Sequence, residues 1–251
     1  MKPYQGKNAI IFGGSSGIGL ATVELLKARG AGVLVADLTP PLNGAAASTR
    51  WVNCDVCDPD QVGAAVHAAR ELGSLSWMVY SAGIQRYGTV ATTSVEEYDY
   101  VQAVNARGAF LAARACISRM HSGGAMVLVS SVQGIACQNG VAAYAASKGA
   151  LEALTRAMAI DHACDGIRVN AVLPGTVDTP MVRASAETFC GNGSPDELVV
   201  EWGRSHPVNR VAHPQEVANI IAFLLSDEAS FVTGASYRVD GGLLAQLPVR
   251  L

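Results

Sequence analysis

Tyr144 and Lys148 stand four residues apart in Tyr144-Ala145-Ala146-Ser147-Lys148, with Ser131 thirteen residues upstream. On a helix, positions i and i+4 share one face, so this spacing brings the ammonium close to the phenol. A nearby cation favours phenolate. Tyrosine titrates near ~10 and an acid/base catalyst works best close to ambient pH, so the lysine and any bound cationic ring must strengthen the acid by about a hundred- to a thousandfold. A phenol primed in this way suits alcohol–carbonyl redox chemistry. Such a pair also occurs in ordinary helices, so the surrounding elements must decide its meaning.

The chain has 251 residues, half of them apolar, enough to bury one full core. Only 16% are charged and the formal net charge is −3, which leaves no basic footprint for nucleic acid. The opening Met1-Lys2-Pro3-Tyr4-Gln5-Gly6-Lys7 holds no long apolar segment and no apolar run matches a membrane span, so a cytoplasmic protein is expected. The six cysteines are scattered and read as free thiols. Cys54-x-x-Cys57 has no second Cys or His pair at ligand spacing nearby, and no metal is expected. The five histidines show no metal spacing and read as surface residues.

Short apolar runs at Asn8–Phe12, Ala31–Ala36, Trp51–Cys54, Leu75–Tyr80, Ala125–Val129, Arg168–Leu173 and Ser236–Val239 have the lengths of buried strands. Helical spacing follows Gly19 and recurs at Gln61–Leu72, Glu97–Met120 and Ala142–His162. The alternation predicts an α/β fold: a Rossmann-type, doubly wound parallel sheet of about seven strands flanked by helices, in one domain over residues 1–251. Two stretches break the rhythm. The thirteen residues between Asp37 and Trp51 are too few for a full crossover helix, so a trimmed crossover is expected. Residues 179–211 show no strand pattern and read as one or two helices on connectors, a candidate substrate lid.

The first strand runs into Gly13-Gly14-Ser15-Ser16-Gly17-Ile18-Gly19 and then a helix. Glycines at 13, 17 and 19 let backbone approach a pyrophosphate while the helix offers free N–H groups, so a dinucleotide is expected there. Asp37 ends the second strand, eighteen residues after Gly19, where a carboxylate accepts from ribose hydroxyls and repels a 2′-phosphate. No cation occupies Ser15, Ser16 or Leu38 to neutralise that phosphate, so NAD is expected rather than NADP.

From Lys7 to Gly242 these residues resemble the short-chain dehydrogenase/reductase family. The likeness rests on the glycine turn, Tyr144-x-x-x-Lys148, Val104-Asn105, Ser130-Ser131, the run Asn170 to Gly175 with Thr179, and Val239-Asp240-Gly241-Gly242. It implies a catalytic tetrad. Ser131 would hold the substrate oxygen, Tyr144 would exchange the proton, Lys148 would grip the nicotinamide ribose, and Asn105 would anchor a water leading to solvent. It also implies adenine contacts from Asp55 and Val56, ribose contacts from Ser81, Ala82 and Gly83, and carboxamide contacts around Pro174, Gly175, Val177 and Thr179, as well as a homotetramer. Two departures stand out. Phe12 replaces the family's threonine, and Tyr80-Ser81-Ala82-Gly83 replaces its Asn-Asn-Ala-Gly, so hydrogen bonds that steady the turn and fourth strand must come from elsewhere.

The expected reaction is hydride transfer between NAD and a secondary alcohol. Substrate identity must come from Gln85 and Arg86, from Gln133, Gln138 and Asn139, and from a lid carrying Met181, Arg183, Glu201, Trp202, Arg204 and His206. Amide-lined walls suit a sugar or polyol, because each buried amide left unpaired costs about 1–3 kcal/mol. Gln138 is similar to its counterparts in members acting on aldoses such as L-fucose. A 3-oxoacyl-thioester or cyclic ketone or steroid reductase of the same family, and an idle NAD-sensing protein, remain alternatives. The Ala-rich helices and the tail from Leu243 to Val249 are candidate surfaces for subunit pairing.

Overall fold

The structure is a computed structural model in which residues 2–41 and 49–247 are described. Among these, seven parallel strands form one sheet in the order β3-β2-β1-β4-β5-β6-β7. They are β1 (Asn8–Phe12), β2 (Gly32–Asp37), β3 (Arg50–Asn53), β4 (Leu75–Tyr80), β5 (Met120–Val129), β6 (Arg168–Pro174) and β7 (Ser236–Val239). The helices are α1 (Gly17–Ala28), α2 (Pro59–Ala68), α3 (Val95–Gln102), α4 (Gly108–Ile117), α5 (Ala142–Asp161), α6 (Pro180–Phe189), α7 (Pro195–Gly203) and α8 (Pro214–Leu225). The central strands β1, β2 and β4 read as nearly continuous apolar runs because both faces of the sheet are covered there, while the edge strands β3 and β7 carry exposed residues.

Alternation along the strands divides the core. Ile10, Phe12, Met78 and Tyr80 point to the layer of α2, α4 and α5, where Val62, Leu111 and Leu151 pack. Ile11, Val35, Trp77 and Val79 point to the other layer, filled by Val23 and Leu26 of α1 and Val217 and Ile221 of α8. A one-residue slip would exchange the two sets, so the register is fixed by this packing. The chain leaves β1 towards β2 on one side and crosses to β4 on the other, so a crevice opens beyond the carboxyl ends of β1 and β4.

Three sequence expectations need correction. The long helix placed at Glu97–Met120 is α3 and α4 joined by a five-residue π turn, Ala103–Arg107, and it ends at Ile117. Met120 belongs to β5 and pairs with Leu75, and an irregularity follows before Trp77 meets Ala125. The small residues of this stretch, with Gly123 at φ 89°, hid an early strand start. The helix placed at Gln61–Leu72 begins at Pro59 under the Asp58 cap and tightens to 3-10 geometry from Ala69. The trimmed crossover falls mainly on residues 42–48, outside the described residues. No described helix is long and apolar enough to cross a membrane.

Candidate active site

The turn after β1 is shaped by what its glycines leave out. A side chain on Gly13 would enter the backbone of Ala82, and one on Gly19 would strike the carbonyl of Gly13. A Cβ on Gly17, at φ 53°, would lie 3.1 Å from the Thr179 methyl. The fourth strand, the turn and the base of the lid therefore close on one another without side chains between them. Gly13 N–H donates to Ala36 O at 3.0 Å and Ser81 N–H to Phe12 O at 2.8 Å, so backbone bonds hold β2 and β4 beside the turn. Ser15 N–H donates to the Asp37 carboxylate at 2.9 Å, which fixes that acid at the end of β2. These residues fit a nicotinamide dinucleotide. The cradle is bare backbone at a helix start, with an anchored carboxylate one strand away.

The residues expected to be catalytic converge at the carboxyl ends of β5 and β4. Ser131 follows β5 and its hydroxyl accepts from Gln133 N–H at 3.1 Å. α5 is pinned to this strand end, since Ser130 Oγ donates to Lys148 O at 2.9 Å and Lys148 Nζ to Val129 O at 2.9 Å. The ammonium lies 5.4 Å from the centre of the Tyr144 ring. Behind it, Asn105 is fully buried. Its amide donates to Ile84 O and Ser147 Oγ, both at 2.9 Å, while its Oδ1 accepts from Ile84 N–H at 2.8 Å. Ser147 Oγ in turn donates to Tyr144 O at 2.7 Å. Asn105 and Lys148 meet over Gly83, where a methyl group would lie 3.4 Å from Asn105 Oδ1 and 3.5 Å from Lys148 Nζ.

The electrostatics differ from the sequence expectation. Burial pushes the Tyr144 phenol up to about 12, against a smaller opposing effect of its hydrogen bond with Ser131. Burial also brings Lys148 down to about 8. The lysine is turned to a backbone carbonyl rather than to the phenol, so the chain by itself leaves Tyr144 protonated. Priming the phenol therefore requires a further charge.

These groups border a cavity of about 1010 Å³. Of the expected dinucleotide residues, Gly13, Ser16, Gly17, Ile18, Asp37, Leu38, Asp55, Val56, Ser81, Ala82, Gly83, Tyr144, Lys148, Pro174, Gly175, Val177 and Thr179 line it. Ser15, Gly19 and Asn105 stand behind the wall: Ser15 and Gly19 buttress the turn, and Asn105 supports Gly83. The expected substrate residues Gln85, Ser131, Gln133, Gln138 and Met181 all face the cavity. The Gln133 side-chain oxygen is buried without a hydrogen-bond partner.

The lid is less polar than expected. Arg183 does not line the cavity. It forms a two-bond pair with Asp178, at 2.6 and 2.8 Å, and also pairs with Asp196. Arg86, Glu201 and Arg204 are exposed and likewise stand outside the cavity. What the lid turns inward is Met181, Val182, Phe189, Leu198 and Trp202. His206 is no surface residue either, being only 4% exposed. Its Nε2 accepts from Thr176 N–H at 3.1 Å, and Nδ1 stands 3.3 Å from Trp202 O.

Tyr87, Ser185 and Phe189 were missed in the sequence. Tyr87 donates to Ser185 Oγ at 2.5 Å and meets the Phe189 ring edge-on at 4.5 Å, joining the loop after β4 to α6. Met181, Ser185 and Phe189 recur every four residues, a helical stripe that could have revealed this face. The Cys54 and Cys57 thiols are pushed up to about 12 and about 11, chiefly by burial. Among the described residues no cluster of His, Cys, Asp or Glu could hold a metal.

Comparison with known proteins agrees with this geometry. A family model described as enoyl-(acyl carrier protein) reductase matches residues 13–244. The cis-4-hydroxycyclohexanecarboxylate dehydrogenase of Sinomonas cyclohexanicum is 38% identical, over 94% of this chain and 96% of its own. The 2-(S)-hydroxypropyl-CoM dehydrogenase 3 of Xanthobacter autotrophicus is 36% identical, over 95% and 98%. The ligand-free structure of Thermoplasma acidophilum aldohexose dehydrogenase superposes with a TM-score of 0.94 at 37% identity, covering 100% of this chain and 98% of that one. The glycine cradle, the tetrad geometry and these likenesses over nearly the whole length make the chain a member of the short-chain dehydrogenase/reductase family, an oxidoreductase that uses a nicotinamide dinucleotide.

Proposed function

We propose that the chain is an NAD-dependent dehydrogenase of neutral, ring-shaped secondary alcohols, with aldoses and cyclic polyols as the substrate class. The observation that carries this reading is the mixed lining, amide and apolar, of the cavity beside Ser131 and Tyr144. Gln85, Gln133, Gln138 and Asn139 line it together with the apolar lid residues Met181, Phe189 and Trp202. Amides suit ring hydroxyls, and apolar side chains suit the C–H face of a sugar or cyclohexane ring. Among the described residues, the charged side chains along the cavity are Asp37, Asp55 and Lys148, with His206 the one further ionisable imidazole. None of these is a free cation for a carboxylate or phosphate on the substrate, so a neutral substrate is favoured. Two of the relatives are named for ring-shaped alcohols, an aldohexose and cis-4-hydroxycyclohexanecarboxylate, and only the second of these carries a charge.

In this reading Ser131 Oγ and the Tyr144 phenol bind the substrate oxygen, and Tyr144 takes the hydroxyl proton. When bound, the oxidised dinucleotide supplies a cationic ring that accepts the hydride. Tyr144, held near 12 by burial even with Lys148 beside it, would give up its proton only with that second charge in place. Lys148, titrating near 8, exchanges its proton within the working range, next to Asn105. NAD is favoured because Asp37, held by Ser15, would face a 2′-phosphate with like charge.

The alternatives of an acyl-thioester reductase and an idle dinucleotide binder make different predictions. Purified protein should reduce NAD with neutral aldoses or cyclic polyols, with kcat/KM higher for NAD than for NADP. Carboxylate-bearing analogues should be poorer substrates. Preference for NADP together with an oxoacyl thioester would overturn the reading, as would tight NAD binding without turnover across the panel. Asp37→Ala should narrow the preference for NAD by about tenfold or more. We also infer self-association through α3, α4 and α5, where Tyr100, Phe110 and Ile160 are exposed, and light scattering should give a tetramer mass.

A further inference from the structure

Tyr80 stands where the family pattern has an asparagine, and it does something an asparagine there could not. β4 delivers it, fully buried, into the layer beneath α4, with its ring tilted against Phe12 at 6.2 Å. Its hydroxyl donates to Val104 O at 2.5 Å. Val104 lies inside the π turn Ala103–Arg107, where Gly108 N–H reaches back five residues to Ala103 O. A switch from four- to five-residue spacing disturbs the carbonyl ladder, and a side-chain donor can then enter it. Room for this donor exists because residue 108 is glycine. A Cβ there would collide with the Tyr80 hydroxyl and come within 3.1 Å of Val56.

The next residue is Asn105. Its carboxamide bonds both backbone groups of Ile84 and Ser147 Oγ only if the π turn holds its present register. We propose that Tyr80 is a positioning residue for proton transfer: its phenol locks the π turn through Val104 O, and so sets the Asn105 carboxamide against Ser147 and beside Lys148. Gly108 is the steric partner of that lock. The pair Phe12 and Tyr80 then accounts for both departures from the family pattern at once, an aromatic contact and one phenolic bond standing in for side-chain hydrogen bonds. The phenol is a lasting donor, since burial pushes its titration well above the ordinary tyrosine range.

This inference rests on the proton-transfer reading of Tyr144, and three variants of the full-length protein keep the two apart. Tyr80→Phe should lower kcat about tenfold and displace the pH profile of kcat, while KM for alcohol and for NAD stays within about twofold. Gly108→Ala should do the same by driving the hydroxyl off Val104. In Tyr80→Phe/Gly108→Ala the methyl group fills the space of the lost hydroxyl, so resistance to urea should return towards the parent value while kcat stays low. Wild-type kcat and pH profile in Tyr80→Phe would overturn the proposal. So would recovery of kcat in step with stability in the double variant, because Tyr80 would then be structural only. A Tyr144→Phe protein that kept its turnover would instead remove the underlying reading. An inactive Tyr144→Phe beside an unimpaired Tyr80→Phe would overturn only the present inference.

Discussion

The two walls of the cavity are built on different kinds of backbone. Ser131, Tyr144, Lys148 and Asn105 sit at strand ends and on helices whose opposite faces are core, and each is less than a tenth exposed. Lys148 and Asn105 bond backbone atoms of neighbouring elements, Val129 O and Ile84, and Lys148 O is in turn held by the Ser130 hydroxyl. The lid wall hangs on α6 and α7, short helices started by Thr179 and Ser194 caps with proline in the first turn. It is tied down by the partly exposed Arg183 pairs with Asp178 and Asp196 and by the contact of Tyr87 with Ser185. The proposed catalytic groups are thus over-determined, whereas the proposed lid hangs on replaceable ties, the division expected of groups that hold their positions through a reaction and groups that only enclose a substrate.

Changes on the first wall should therefore appear in kcat and those on the second in KM. Tyr144→Phe should lose about 10³-fold or more in kcat while the Kd for NAD, read by titration, changes less than about threefold. Near-normal turnover would break the comparison at its strongest point. Ser131→Ala should lose about 10²-fold in kcat with little change in KM.

Lys148→Met separates activity from stability. In the folded chain Lys148 titrates near 8, against 10.5 for an ordinary lysine, because burial disfavours the charged form. Between those values the unfolded chain binds more protons, so stability attributable to this group rises with pH across the window, and the penalty is fully present below 8. The variant should thus be inactive yet more stable by about 1–3 kcal/mol at pH 7, and the gain should vanish above about pH 10.5, as urea titrations at both pH values would reveal. Arg183→Gln should be mildest. We expect KM for the alcohol to rise about threefold with kcat nearly unchanged and Tm lowered by a few degrees at most.

Much of the first wall was legible because its residues answer to short-range rules. The turn from Gly13 to Gly19 needs missing side chains, Tyr144 and Lys148 are one helical turn apart, and Asp37 ends an apolar run. The strands were readable for the same reason, down to the ends of β1, β4 and β7. The π turn was not, since no local composition announces a five-residue spacing and its stabilising donor, Tyr80, lies 24 positions away in sequence. The lid residues misled because sequence shows charge but not direction. Arg183, Glu201 and Arg204 looked like pocket residues, yet charged side chains on short surface helices turn to water and to each other. His206 was expected in the lid and does line the cavity, but its burial was not legible because its partners, Thr176 N–H and the Trp202 carbonyl, are backbone groups.

The opposition of amide and hydrocarbon across one chamber has a consequence for handedness. A ring admitted with its hydroxyls towards Gln133 and Gln138 offers a single carbinol hydrogen to the dinucleotide side, while its mirror image must either turn that hydrogen away or press its oxygens against Trp202 and Phe189. Enantiomeric preference in this protein would then follow from the polarity of its walls rather than from any steric gate.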